Sequence, residues 1–257
     1  MMITVNTASA GRGISWITES FDYFSRNPLG WVGALIIIFV IQVMVGMVPL
    51  LGWLAIYFTH LLFIGGMLIG CLAHARGEQF ELQHIFSCFQ SDYLSRFLIL
   101  SIFYLIANVL MIMSFLIALF VFLGGLGVLE QLSQIQTMAP QEALQILYAL
   151  LMATLVPALI LLPIMMLFWF APMLLITTDL SPFDAMQLSF KACLKNIPAF
   201  TLYGLIVLVF SFLAMIPLGL GYLILLPMLV SSIHLAFLDC FSLDDDDLTK
   251  PLPVIKE

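Results

Sequence analysis

The stretch LIIIFVIQVMVGMV, residues 35–48, offers one polar side chain, Gln42, in fourteen positions. It does not alternate apolar with polar residues, so it does not read as a strand of a membrane barrel. A helix satisfies its own backbone hydrogen bonds, which the bilayer interior requires. The run extends from Leu29 to Val48, and about twenty apolar residues cross a bilayer as a helix. Comparable runs follow at Trp53–Leu72, Phe97–Leu123, Ile146–Ile176, Phe200–Ile216 and Tyr222–Leu238. The pattern predicts an all-α, polytopic integral membrane protein with six transmembrane helices.

Composition agrees. The 257 residues are 63% hydrophobic and 9% charged, with a mean hydropathy of +1.16. A soluble domain carries roughly 25% charged residues, so this chain lacks the polar groups to coat a water-facing surface. The first thirteen residues are small and polar and the first apolar run is long. The first helix is therefore expected to act as an uncleaved anchor rather than a signal peptide. No lipidation is expected from a start of Met-Met and an end of VIKE.

Orientation follows from the eight basic residues: Arg12, Arg26, Arg76, Arg96, Lys191, Lys195, Lys250 and Lys256. With six crossings, all eight fall on the side of the two termini. The opposite loops, near Pro49–Gly52, Gly124–Gln145 and Pro217–Gly221, contain none. The positive-inside rule places both termini in the cytoplasm. Residues 244–257, which open with DDDD, read as an acidic cytoplasmic tail. Within the loop near Gly124–Gln145, residues 130–145 are expected to form a short surface helix with Pro140 at its start or at a turn.

The preface SFDYFSRNPL (20–29) has a counterpart in SFKACLKNIP (189–198). A shift of 169 positions superposes Ser20 on Ser189, Phe21 on Phe190, Asn27 on Asn196 and Gly52 on Gly221. A fainter copy starts near Leu82. Apolar residues recur at helical spacing in these prefaces: Ile14, Ile17, Phe21 and Phe24 in the first, and Leu82, Ile85, Phe89 and Tyr93 in the second. Such amphipathic segments suit the membrane interface. The reading is one membrane domain over 1–243, built from three interfacial-helix-plus-hairpin repeats at about 13–76, 80–178 and 183–240. The fourth run carries Pro157, Pro163 and Pro172 and is expected to be a tilted, kinked helix, or else a broken one lining a path.

Polar residues inside the spans are Gln42, His60, Asn108 and His234. Ionisable groups within a membrane mark functional sites by default, so His60, Asn108 and His234 are candidate cavity residues. Ordinary hydrogen-bonded glue between helices is the competing reading. The absence of Asp, Glu, Lys and Arg at mid-span argues against an ion-coupled pump. Cys71, His74, His84 and Cys88 have ligand types and spacings that suit zinc or copper, and fifteen methionines keep a metal-handling role in view. No cofactor is expected. The four cysteines, Cys71, Cys88, Cys193 and Cys240, are expected as free thiols in a reducing compartment. Nucleic-acid binding is excluded by a pI near 4.9 and the lack of a basic patch. No G-x-S-x-G, H-E-x-x-H or P-loop motif is present, and no enzymatic role is expected.

Gly13-x-x-Trp16, Phe24, Pro28-Leu29, FAPML (170–174) and SFKACLKNIPAFTLYGL (189–205) together resemble a group of uncharacterised proteobacterial inner-membrane proteins. More distantly, the plan is similar to the membrane domain of some glycerophosphodiester phosphodiesterases, without a catalytic domain. The resemblance implies fold and a bacterial inner-membrane location, with no site residue attached. The function expected is a non-enzymatic accessory or scaffold that binds membrane lipids or other membrane proteins. The alternative is a small permease or lipid-handling transporter with a path between the repeats.

Overall fold

The apolar runs do form helices. In the computed structural model, which describes residues 3–49, 51–122 and 140–242, six segments are long and apolar enough to cross a membrane: Pro28–Gly46, Leu51–Ala75, Tyr93–Phe122, Leu144–Thr177, Ile197–Met215 and Tyr222–Cys240. The chain is an all-α polytopic membrane protein. Its elements are β1 (Thr4–Val5), α1 (Arg12–Arg26), α2 (Pro28–Gly46), α3 (Leu51–Ala75), a 3-10 helix (Leu82–Phe89), α4 (Ser91–Phe122), α5 (Pro140–Phe168), α6 (Ala171–Thr177), α7 (Pro182–Lys195), α8 (Ile197–Met215), α9 (Tyr222–Cys240) and β2 (Phe241–Ser242). The tail 244–257 and most of the segment 130–145 lie outside the described residues, and α5 begins at Pro140.

The described chain divides into two compact units. One holds the residues up to Ile102 and those from Met166 onward; the other is Phe103–Met165. The second unit comprises the distal part of α4 and most of α5. Its buried positions include the small residues Ala118, Ala149 and Ala153, while Phe120, Leu147 and Leu159 are exposed. That is the surface of a helix facing hydrocarbon rather than water.

The first unit is organised around α1, which packs on α9 and α8. Its buried face is Gly13, Trp16, Ile17, Ser20, Tyr23 and Phe24, a regular stripe at helical spacing. This corrects the face read from apolar periodicity, because Ile14 and Phe21 are exposed. Lipid is as apolar as a core, so greasy residues do not by themselves mark the packed side. Close approach does. A methyl group on Gly13 would sit 1.9 Å from the Ala199 carbonyl oxygen, so only glycine lets α1 rest on α8.

The second preface also departs from expectation. It is a 3-10 helix rather than an α-helix, with Ile85 buried and Leu82 exposed. It lies against α3 where Gly66 leaves room, since a methyl there would meet the His84 and Ile85 carbonyl oxygens at 2.6 and 2.5 Å. Its start is a reciprocal capping box: the Glu81 side chain accepts from the backbone of His84, and His84 Nδ1 accepts the Glu81 N–H at 3.0 Å.

The fourth run is broken. α5 carries Pro157 and Pro163 in its interior and ends at Phe168, and α6 restarts at Ala171 with Pro172 in its first turn. Ser189 of α7 fills the break. Its Oγ accepts the Phe170 N–H at 2.9 Å and donates to the Met166 carbonyl at 2.7 Å. A free backbone group is tolerated at membrane depth when a neighbouring side chain satisfies it.

Three polar residues at the junctions between surface helices and spans clasp backbone elsewhere in this unit. Asn27 caps α2 by accepting the Gly30 N–H and donates to the Phe80 carbonyl, just ahead of the 3-10 helix. Arg96, near the start of α4, donates to the Thr178 and Leu180 carbonyls, just ahead of α7. Asn196 accepts the Ala8 N–H and donates to the Asn6 carbonyl, just ahead of α1. Each junction thus holds the approach to the next surface helix, in cyclic order. Lys195 adds a bond to the Val5 carbonyl, and β1 pairs antiparallel with β2.

Two expected outcomes test this description. Gly13→Ala destabilises the protein by about 1–3 kcal/mol through overpacking. Gly11→Ala, with nothing within 4 Å of the added carbon, shifts stability by no more than about 0.5 kcal/mol; thermal unfolding in a mild detergent separates the two. The second concerns pH. Burial holds the His84 imidazole below its ordinary value, against the opposing pull of Glu81 and Glu78, and protonation would remove the Nδ1 acceptor of the capping box. The unfolded chain takes up the proton first. The contribution is therefore complete above the ordinary histidine value of about 6.5 and is lost as pH falls through the folded one. His84→Asn keeps an acceptor that does not titrate. Its thermal stability should fall less than the wild type's between about pH 7.5 and about pH 5.5.

Candidate functional site

The charged end of the first unit is fixed by one carboxylate. Asp239, one residue from the end of α9, accepts from Arg12 Nε and from Trp16 Nε1, both at 2.6 Å. Arg12 also pairs with Glu19 at 2.8 Å. The Asp239 bond raises the Arg12 guanidinium above its ordinary value. Trp16 is fully buried and lies against Phe200 and Tyr203. The Tyr203 hydroxyl is 2.8 Å from the Ser232 hydroxyl.

Farther along α1, Tyr23 joins the two histidines of the spans on this side. Its ring centroid is 4.2 Å from that of His74 and 5.9 Å from that of His234. The Tyr23 hydroxyl is pushed up to about 12 by burial, so it stays neutral. His74 Nε2 stands 3.8 Å from Asp22, and Cys71 Sγ lies 3.6 Å from the Ser231 hydroxyl. His234 is 1% exposed, and neither ring nitrogen has a hydrogen-bond partner among the described residues.

The four candidate metal ligands are not assembled. Cys71 and His74 face α9 and α1, where Ser231 and Tyr23 lie. Cys88 and His84 belong to the 3-10 helix and meet a different face of α3, at Gly65 and Gly66. Among the described residues no group of three or more histidine, cysteine, aspartate or glutamate side chains is placed to hold a metal ion. Spacing in sequence brought these residues near one another along the chain but on separate faces of α3. All four cysteines are free and buried. Burial raises the Cys88 thiol and pushes Cys193 up to about 12, so neither is a nucleophilic thiolate.

A cavity of about 640 Å³ lies between α2, α3, α9 and the turn ahead of α9. Leu35, Phe39, Phe63, Ile64, Met67 and Leu226 give it an apolar wall, and no charged side chain lines it. The polar side chains that line it are Gln42, His60 and Tyr222. The Gln42 carbonyl oxygen is 3.2 Å from the Thr59 hydroxyl, while its Nε2 is buried with no partner among the described residues. Of the two candidate cavity histidines, His60 lines this space, whereas His234 is buried edge-on to Tyr23. Asn108 belongs to the second unit and donates to the Tyr104 carbonyl of its own helix at 2.8 Å. Sequence reasoning noted Gln42 without singling it out. A glutamine inside a twenty-residue apolar run was the available signal.

No protein-family model matches the chain, and no solved structure matches it. A probable inner membrane protein of Burkholderia thailandensis is 29% identical over 209 residues, which cover 77% of this chain and 73% of the relative. The expected kinship with the membrane domain of glycerophosphodiester phosphodiesterases finds no support in these comparisons. What the chain resembles is a bacterial protein named for the inner membrane, and its six apolar helices agree with that name.

Proposed function

We propose that this is a non-enzymatic accessory protein of the bacterial inner membrane that holds a membrane lipid in the cavity between α2, α3 and α9. The observation that carries the reading is the cavity itself. Its volume falls within the range of about 300–1,000 Å³ typical of small-molecule sites. Its wall is apolar and free of charge, as suits an acyl chain. The relative's inner-membrane name supports the location, and the clustering of Arg12, Arg26, Arg96 and Lys195 at one end of the spans supports cytoplasmic termini. The cyclic clasps of Asn27, Arg96 and Asn196 support three units in the order about 13–76, 80–178 and 183–240. A permease is less well supported, because His234 is closed in beside Tyr23 and does not line the cavity that His60 lines.

Native mass spectrometry of the protein extracted gently from its own membrane tests this. The expected result is a phospholipid retained at one per chain. Ile64→Trp fills the cavity and should lower its occupancy about tenfold while helicity is unchanged, a loss of about 1.4 kcal/mol in binding. A wild-type protein free of lipid, or a variant that keeps the same lipid, would sink the proposal. For orientation, a C-terminal reporter that works only outside the cytoplasm would overturn the topology.

A further inference from the structure

We infer that this cavity is a blind pocket for one straight acyl chain, with its mouth at the uncharged turn ahead of α9 and its floor at Leu35, Met67 and Ile233, where the length of the chain is read. The inference rests on the lipid-binding reading above and states which part of the lipid the site holds and from which side.

The wall is graded along its depth. Three polar side chains line it, and each is the lining residue nearest the uncharged turns on its own helix: Gln42 on α2, His60 on α3 and Tyr222 on α9. Every lining residue deeper than these is apolar, down to Leu35, Met67 and Ile233. Leu218 and Leu220 of the turn border the mouth and are exposed. The rim is polar without being charged, so it offers nothing to hold a phosphate. The Tyr222 hydroxyl is already given to the Ser211 carbonyl at 3.3 Å. A ligand that matches this gradient has a polar end at the rim and an unbranched apolar chain below it.

The other end is closed. One turn deeper, Trp31 on α2 and Cys71 on α3 are fully buried, and Phe237 on α9 is 1% exposed. Trp31 Nε1 donates to the Tyr23 carbonyl at 2.9 Å, and its ring stacks on Phe80 with centroids 3.9 Å apart. Tyr23 in turn lies against His74 and His234. This aromatic layer stops the pocket on the side of Arg12, Arg26 and Lys195, so its open end is the opposite one. With both termini in the cytoplasm, that end meets the outer leaflet of the inner membrane. From Tyr222 to Ile233 the pocket runs about 16 Å along α9. An extended chain advances about 1.25 Å per carbon, so about thirteen carbons fill that length. The wall cannot select a chain by hydrophobicity, because the bilayer is as apolar as the pocket. It selects by fit: a short chain leaves a void and a long one cannot be packed.

The test offers delipidated full-length protein an equimolar mixture of monoacyl phosphatidylglycerols whose straight chains run from well below to well above that length, and reads the bound species by native mass spectrometry. The wild type should favour the matched chain about threefold over chains about four carbons longer or shorter. Ile233→Ala deepens the floor and should move the preferred chain up by about two carbons. Leu35→Phe raises the floor and should move it down, an independent reading should the first variant fold poorly. Leu220→Ala, at the mouth, should leave the preferred length unchanged. A bound population that mirrors the mixture overturns the inference. So does a preference that Leu220→Ala moves and the two floor variants do not, since the chain would then lie the other way round. Failure of the underlying reading looks different: no probe is retained by the wild type, and Ile64→Trp changes nothing.

Discussion

A carboxylate near the end of a membrane helix is costly unless it is paired and hydrogen-bonded. Asp239 is both, and what pairs it comes from α1. Arg12 and Trp16 converge on one oxygen, so the last span and the first surface helix are held together by a charge-assisted bond. The rest of the first unit follows. With α1 anchored on α9, Gly13 meets the backbone of α8 and Tyr23 is carried to His74 and His234. The residues ahead of α1 then come within reach of Asn196 and of β2. Hydrophobic burial cannot organise these contacts, because lipid is as good a solvent for leucine as the protein interior. Polar bonds and close backbone approach supply the specificity.

The same logic explains the junction residues. Asn27 and Asn196, superposed by the 169-residue shift, each follow a surface helix and each bond the backbone leading into another. They divide their work differently. Asn27 caps α2, whereas Asn196 makes no cap bond to α8 and gives its amide to residues 6 and 8 and to the Ala192 carbonyl of α7. The middle junction uses Arg96, whose longer reach spans to Thr178 and Leu180. Carbonyls at a chain turn next to the membrane need donors, and a junction side chain is a local way to provide them.

The spans were legible because twenty apolar residues in a row have few other uses. Their arrangement was not. Ile14 and Phe21 looked like the packed face of α1, yet the packed face is marked by Gly13, Trp16 and Ser20, the small and polar residues that allow close contact. The break at Trp169–Phe170 was open because Pro172 fits both a kink and a first turn, and the hydroxyl that settles it by accepting the Phe170 N–H, that of Ser189, is nineteen residues away. The 3-10 form of residues 82–89 depends on the room at Gly66, which no local propensity records. Cys71, His74, His84 and Cys88 appeared as one set because spacing is measured along the chain, while α3 turns its successive residues to different neighbours.

Polar residues inside a membrane protein fall into two kinds once their hydrogen bonds are counted. Asn108 closes its account within its own helix, on the Tyr104 carbonyl, and needs nothing from outside. Gln42 does not: one end of its amide is held by Thr59 and the other is buried and open. His234 is also open, at both nitrogens, but it is buried edge-on to Tyr23 rather than set in the wall of the cavity. An unpaired donor becomes a recognition group only where a ligand has room to reach it. Gln42 lines the cavity between α2, α3 and α9, yet its Nε2 is closed off from that space, and its bond to Thr59 joins α2 to α3.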